Sequence, residues 1–278
     1  MLFRLLGHAQ VETACGSVGV ESAPVRGVLA ALLLEEGRSV PVERLLHLLW
    51  EDPPGSARKD LRLHIARLRA QLGKLGLRDR LVTLRGGGGE GGYRLVARGE
   101  EVDAVVFRRL ASQGLAELRA GAADAAETSL TTALSLWQGP IGQDCTASQR
   151  LKARFTAFDE LHLTVRERLV EARLALGRTI DLIPEIQEIL ATAPFREASW
   201  AHLMRAYYLG GDAAGAIDAW ERAGATLGER LGLDPSAQLR RLHLSILRRD
   251  CDAVRGPSPR PGERPTPAGT RSAAGYAR

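Results

Sequence analysis

Hydrophobic positions change period along this chain, and each change marks an element. Over residues 1–20, Leu2, Phe3, Leu5, Leu6, Val11, Val18 and Val20 alternate loosely between Gly7, Gly16 and Gly19, the pattern of short strands and turns. From Pro24 the spacing becomes three and four. Val25, Val28, Leu29, Leu32 and Leu33 predict a helix that Gly37 stops. Pro41 opens a second, short helix with Val42, Leu45, Leu46 and Leu49 on one face, closed by Asp52, Pro53, Pro54 and Gly55. Ser56 is placed to cap a third helix, SARKDLRLHIARLRAQLG, in which Ala57, Leu61, Ile65, Leu68 and Leu72 share one narrow arc. Leu81–Leu84 and Tyr93–Val96 then read as two strands joined by a glycine-rich tip, RGGGGEGG.

From Val102 onward every segment is helical in period. Asp103 is an N-cap candidate, and helices are expected over 103–121, 124–137, 147–176, 181–192, 196–210, 212–231 and 236–250. Leu176-Gly177 recurs as Leu209-Gly210, 33 residues on, close to the period of a tetratricopeptide unit. GAADAAETSLTTAL and GGDAAGAIDAW both set Gly, Asp and alanines where paired helices must approach closely. The fold class expected is mainly α with a small β part. An N-terminal winged helix-turn-helix domain (1–98) precedes an all-α tetratricopeptide-like domain (99–251), and a Pro-, Gly- and Arg-rich tail (252–278) is expected to be disordered.

Charge sharpens this picture. The net +5 divides into +5 over residues 1–98, −3 over 99–251 and +3 over 252–278. Within the first unit, residues 56–80 hold eight basic residues against two acidic ones, so the third helix and the short segment up to Arg80 carry more than the unit's excess. A basic helix between two short helices and a glycine-tipped hairpin fits the major groove of DNA, with the hairpin beside it on the backbone or minor groove. Lys59 and Arg62 are the candidates for base edges, because their N–H donors match guanine O6 and N7. Ser56, Arg58, Arg67 and Arg69 are placed for backbone contact, Thr83, Arg85 and Arg94 for contacts from the hairpin, and Arg26 on the first helix for a weaker one.

Other chemistry finds no support in the sequence. Three cysteines without a CxxC pair and six histidines without HExxH offer neither a disulfide framework nor a metal site. Gly86, Gly88 and Gly91 satisfy GxGxxG, but here the motif opens a strand where a dinucleotide site would open a helix, so no cofactor is expected. No acid–base or nucleophile spacing suggests an enzyme. MLFRLLGHAQVE is interrupted by Arg4, Gly7 and His8, and no 18-residue apolar run occurs, so a cytoplasmic, nucleoid-associated protein without membrane contact is expected.

The run VRGVLAALLLEEGRSVPVERLLHLLWEDPPGSARKDLRLHIARLRAQLG, the closing GYRL and the later LGLDPS with its downstream leucines resemble the Streptomyces antibiotic regulatory protein family over about residues 1–250. The resemblance implies a small-class transcriptional activator of a biosynthetic gene cluster. Such a protein would bind direct repeats of double-stranded DNA near a promoter, self-associate cooperatively on them and recruit RNA polymerase holoenzyme through its sigma subunit. Two alternatives stay open at this point: a tetratricopeptide-like interaction scaffold, and a repressor using the same DNA-binding unit.

Overall fold

The computed structural model describes residues 3–13, 16–85, 91–179 and 181–255. It opens with three antiparallel strands, β1 (Phe3–Arg4), β2 (Gln10–Thr13) and β3 (Gly16–Gly19), in spatial order β1-β2-β3. Phe3 lies opposite Val11 and both are buried, so one face of this small sheet covers the helices behind it. Helices α1 (Ala23–Leu33), α2 (Val42–Leu49) and α3 (Ala57–Lys74) stand where the apolar spacing puts them. Strand β4 (Val40–Pro41) joins β5 (Leu81–Leu84) and β6 (Gly92–Leu95) in the order β4-β6-β5. The expected hairpin therefore has a third strand: Val40 pairs with Tyr93 and Pro41 with Gly92. Pro41 opens α2 as the sequence pattern sets it, being the N-cap of that helix, and it also ends β4. On an edge strand its missing N–H costs no ladder bond.

The remaining helices are α4 (Asp103–Arg119), α5 (Ala123–Leu134), α6 (Gln149–Ala175), α7 (Leu182–Thr192), α8 (Glu197–Leu209), α9 (Ala213–Leu231), α10 (Ala237–Leu247) and α11 (Cys251–Arg255). The turns after α4, α6 and α8 are built alike. Each puts a glycine in the left-handed region, Gly121 (φ 78°), Gly177 (φ 74°) and Gly211 (φ 91°), where a side chain would be strained. Each returns N–H groups to carbonyls of the preceding helix, Gly177 to Leu174 and Arg178 to Arg173, then Gly211 to Tyr208 and Asp212 to Tyr207. Gly177 and Gly211 are 34 residues apart. The repeat is thus real, but its second left-handed glycine is Gly211, since Gly210, the C-cap of α8, keeps a right-handed backbone (φ −78°). Ala126, Ala133, Ala216, Ala219 and Ala223 are fully buried, which is what lets the helices of each pair approach.

The expected disordered tail loses its first residues to the fold. Residues 251–255 form α11, Val254 is buried, and its carbonyl accepts a 3.0 Å hydrogen bond from Arg205 Nε. An apolar side chain at Val254 with a buried seat outweighs the Pro- and Arg-rich composition beyond it. The rest of that tail lies outside the described residues.

The apolar core does not divide at residue 98. One cluster of buried side chains runs from Phe3 to Ala172 and takes in the winged unit together with α4, α5 and α6; a second runs from Val170 to Val254. Polar contacts seal the first. The Arg154 guanidinium donates to Glu35 Oε1 and to the Leu34 carbonyl, both at 2.7 Å, while Arg44 reaches the same Glu35 oxygen. Arg80 holds Glu101 through two N–H groups at 2.6 and 3.0 Å, which drops that carboxyl from its ordinary 4.5 to about 2. Gly27 on α1 is a point of closest approach. A Cβ there would sit 2.1 Å from the Thr146 carbonyl oxygen, and Thr146 N–H donates back to Ala23.

Asp103 is the most telling of these contacts. The pattern suggests a cap outside α4, but Asp103 is the first helical residue, 2% exposed, and its carboxylate accepts from Leu5 N–H at 2.8 Å, Leu6 N–H at 3.0 Å and Ala104 N–H at 2.7 Å. Burial raises its pKa against the opposing pull of those bonds, so the carboxylate is costly to place and three backbone donors offset the cost. Replacing Asp103 with Ala should destabilise the chain by about 3 kcal/mol, because three buried N–H groups, those of Leu5, Leu6 and Ala104, lose their acceptor. Urea unfolding of the two proteins measures this, and a difference below about 0.5 kcal/mol would show the contact to be dispensable.

Candidate nucleic-acid interface

Helix α3 buries Ala57, Leu61, Ile65, Leu68 and Leu72 and so turns the opposite arc outward. Exposed on that arc are Lys59, Arg62, Leu63, Ala66, Arg67, Ala70 and Lys74. Leu63, 47% exposed, sits mid-face between Lys59 and Arg67, with Ala66 and Ala70 beyond it. Cations thus frame a strip of small and apolar side chains, which is the surface a major groove accepts: methyl groups toward thymine C5 and guanidinium groups toward purine edges. Leu63, Ala66 and Ala70 are not among the sequence candidates. The wheel that places Leu61 and Ile65 inward holds the signal, since these three stand opposite that arc.

The structure separates the basic residues of α3 by what already engages them. Lys59, Arg62 and Arg67 make no ion pair or hydrogen bond among the described residues. Arg58 is exposed, and its guanidinium meets the Glu43 carboxylate of α2. Arg58 must exchange that partner to reach a phosphate. Arg69, expected at a phosphate, instead donates to the Leu81 carbonyl at 3.1 Å and to Thr83 Oγ1 at 2.9 Å. That pair pins the C-terminal half of α3 to β5, so Arg69 and Thr83, like Arg58, must give up a partner within the protein before either reaches a phosphate. The Ser56 hydroxyl does not cap the helix. The residue is already in helical conformation (φ −81°, ψ −13°), and the hydroxyl donates to Asp60 Oδ2 at 2.9 Å. Ser56 stays exposed at the helix entry.

Arg26 is corrected too. Its side chain is 20% exposed; Nε donates to the Asp144 carbonyl at 2.8 Å beside the Asp144 carboxylate at 3.1 Å, and Nη1 donates to the Val20 carbonyl at 2.6 Å. It ties α1 to the segment after α5 and does not face outward. In the hairpin, Arg94 is exposed opposite Val82, Arg85 is exposed at the end of β5, and the tip residues 86–90 lie outside the described residues. Gly91 leads into β6 and not into a helix, as expected of this GxGxxG. Between α3 and the base of the hairpin lies a groove of about 250 Å³ lined by Arg58, Leu61, Arg62, Gly91, Tyr93 and Val42. His64 stacks on Trp50 at 6.2 Å between ring centroids; burial and the neighbouring Arg67 lower its pKa, so it adds packing and not charge at neutral pH.

This geometry agrees with what the chain resembles in sequence. Residues 22–95 match the family model described as "Transcriptional regulatory protein, C terminal", and residues 102–247 match "Bacterial transcriptional activator domain". The chain belongs to the Streptomyces antibiotic regulatory protein family. It is 34% identical over 251 residues to the transcriptional regulator RedD of Streptomyces coelicolor, covering 88% of this chain and 70% of that one. It is 32% identical over 248 residues to the transcriptional regulatory protein MoaR1 of Mycobacterium tuberculosis, covering 88% and 79%. A solved structure of Mycobacterium tuberculosis EmbR in complex with a low affinity phosphopeptide superposes with a TM-score of 0.81 at 32% identity, over 91% of this chain and 66% of that one. As a Streptomyces antibiotic regulatory protein the chain is a DNA-binding transcriptional activator and not an enzyme. No helix among its described residues is long and apolar enough to cross a membrane.

The Arg69–Thr83 contact yields a direct measurement. In a double-mutant cycle of Arg69→Ala and Thr83→Ala, the coupling read by urea unfolding should be about 0.5–1.5 kcal/mol. Additive single effects would mean that the pin is not formed in solution.

Proposed function

We propose that this protein activates a biosynthetic gene cluster by seating α3 in the major groove of direct repeats near a promoter. The observation that carries the reading is the set of three unengaged cations, Lys59, Arg62 and Arg67, on the one exposed face of a helix whose other face is fully packed. Lys59 and Arg62 read base edges, with Leu63 and Ala66 against thymine methyls. Arg67 on one flank and Arg58, Arg85 and Arg94 on the other hold phosphates. Ser56 stands at the helix entry, where a phosphate reaches the hydroxyl.

Direct repeats place copies head to tail. Repeats about one helical turn apart set them on the same side of the duplex, which favours cooperative binding. In this reading the helical unit is the part that recruits RNA polymerase holoenzyme through its sigma subunit, and the protein works at the nucleoid. Its acidic balance of −3 over residues 99–251 suits contact with polymerase more than with DNA.

A footprint of the full chain on DNA upstream of its neighbouring genes, titrated with salt, tests the reading. Protection of two direct repeats is expected, with log affinity falling against log salt by about 0.9 per phosphate neutralised. Protection no better than on random DNA would leave an interaction scaffold. Protection overlapping the start site, with transcription lowered, would make it a repressor. Substitutions separate the two kinds of contact. Arg62→Ala should cost about 1–3 kcal/mol on the operator and relax one base position, while Arg67→Ala should weaken all sequences alike and reduce the salt slope by about 1. Competition binding on operator and random duplexes reads both, and equal losses for Arg62→Ala on the two would remove it from base recognition.

A further inference from the structure

Two of the charged cavities in the helical unit contrast in how far their charge is satisfied from within. Around the first, Glu127 accepts from Arg173 at 3.2 Å and Arg178 at 2.5 Å, and Arg173 also reaches Glu185 at 2.9 Å, so its charges answer one another. The second, of about 430 Å³, lies where the start of α5, α6, α8, α10 and α11 converge. Its polar lining is Arg168, Glu171, His202, Arg205, Gln238 and Arg255, three guanidiniums against one carboxylate. Leu118 and Leu174 supply an apolar wall.

The balance inside this cavity is uneven. Glu171 is taken by Arg168. Arg205 gives its Nε to the Val254 carbonyl at 3.0 Å, which fixes the guanidinium plane and leaves both Nη groups without a hydrogen-bond partner among the described residues. His202 is 6% exposed, and neither ring nitrogen has a hydrogen-bond partner among the described residues. Burial, with Arg205 and Arg168 nearby, holds its pKa at about 3, so the ring is neutral and walls the cavity without adding to its charge. The donors left open to the cavity are therefore the Arg205 Nη groups, whose charge no carboxylate of the lining pairs within hydrogen-bond distance. A pocket of this volume, part apolar and part convergent donors, is of the size and make-up that small ligands occupy.

We propose that this cavity binds a small organic carboxylate, whose oxygens accept from the Arg168 and Arg205 guanidiniums while its apolar body lies against Leu118, Leu174 and the neutral ring of His202. A bidentate guanidinium–carboxylate pair sets the head, and the wall selects for a hydrocarbon portion over a bare ion. The polar lining comes from four helices at both ends of the unit, so occupancy ties α11 and Arg255 to α6.

Isothermal titration of the full chain with 1-naphthoate, its neutral amide and inorganic phosphate tests this. Saturable binding of one naphthoate per chain is expected, with the amide and phosphate each at least about tenfold weaker. Arg168→Met should weaken naphthoate by a similar factor. In the unsubstituted protein, the His202 imidazole 15N resonances should shift on titration while those of exposed His8 stay still. No saturable naphthoate binding, equal binding of the amide or of phosphate, or a His202 signal unmoved at saturation would each overturn the proposal.

Discussion

The whole arrangement depends on one constraint: the winged unit cannot finish its own core. Leu5 and Leu6 are buried in the loop after β1, and their N–H groups find an acceptor 98 and 97 residues away, in the carboxylate of Asp103. The segment after α5 presses on α1 at Gly27 closely enough to exclude any side chain there. Arg26, Arg154 and Ser148 close further backbone groups across the same seam: the Arg26 guanidinium donates to the Asp144 carbonyl, the Arg154 guanidinium to the Leu34 carbonyl, and Ser148 Oγ lies 2.8 Å from the His47 carbonyl. Buried polar groups without partners cost of order 1–3 kcal/mol each, so the seam is specific in register as well as apolar. The helical unit is therefore part of what holds α3 in place, and not a separate body on a tether.

With α3 fixed in this way, its basic residues divide by geometry. A helix has room for about one packed arc and one exposed arc, and the residues at the border between them find partners on neighbouring elements. Arg69 lies at that border and is drawn to Leu81 and Thr83; Arg58, at the helix start, meets Glu43. Lys59, Arg62 and Arg67 form no hydrogen bond or ion pair with the adjoining elements among the described residues. Fewer cations are available to DNA than the count of eight over residues 56–80 suggests, but those available converge on one face.

The legibility of each feature in the sequence depends on the distance over which it is determined. Helices α1 to α10 show in a 3.6 period because burial of one face is a local pattern, and the basic excess of α3 is a property of the same window. The left-handed glycines of the helix pairs are local too, and only the choice between Gly210 and Gly211 needs the backbone. Strand β4 is two residues long and carries no period at all; its existence depends on Tyr93 and Gly92, more than 50 residues on. Arg26, Asp103 and Arg69 look the same in sequence as any exposed arginine or capping aspartate. Their roles are set by partners 118, 98 and 12 to 14 residues away, which no local window identifies.

Helix α6 is the element that the two cores share. It contributes Leu151, Phe155, Phe158, Val165 and Leu169 to the core shared with the winged unit and Val170 to the second. Near its start Arg154 grips Glu35 and the Leu34 carbonyl; near its end Arg168 and Glu171 line the cavity closed by His202 and Arg205. Arg154 and Arg168 are about 21 Å apart along a continuous helix, at about 1.5 Å per residue. The grip of Arg154 falls on the end of α1, and α1 packs directly on the buried face of α3, so the packing that seats α6 also bears on the helix that carries the basic face.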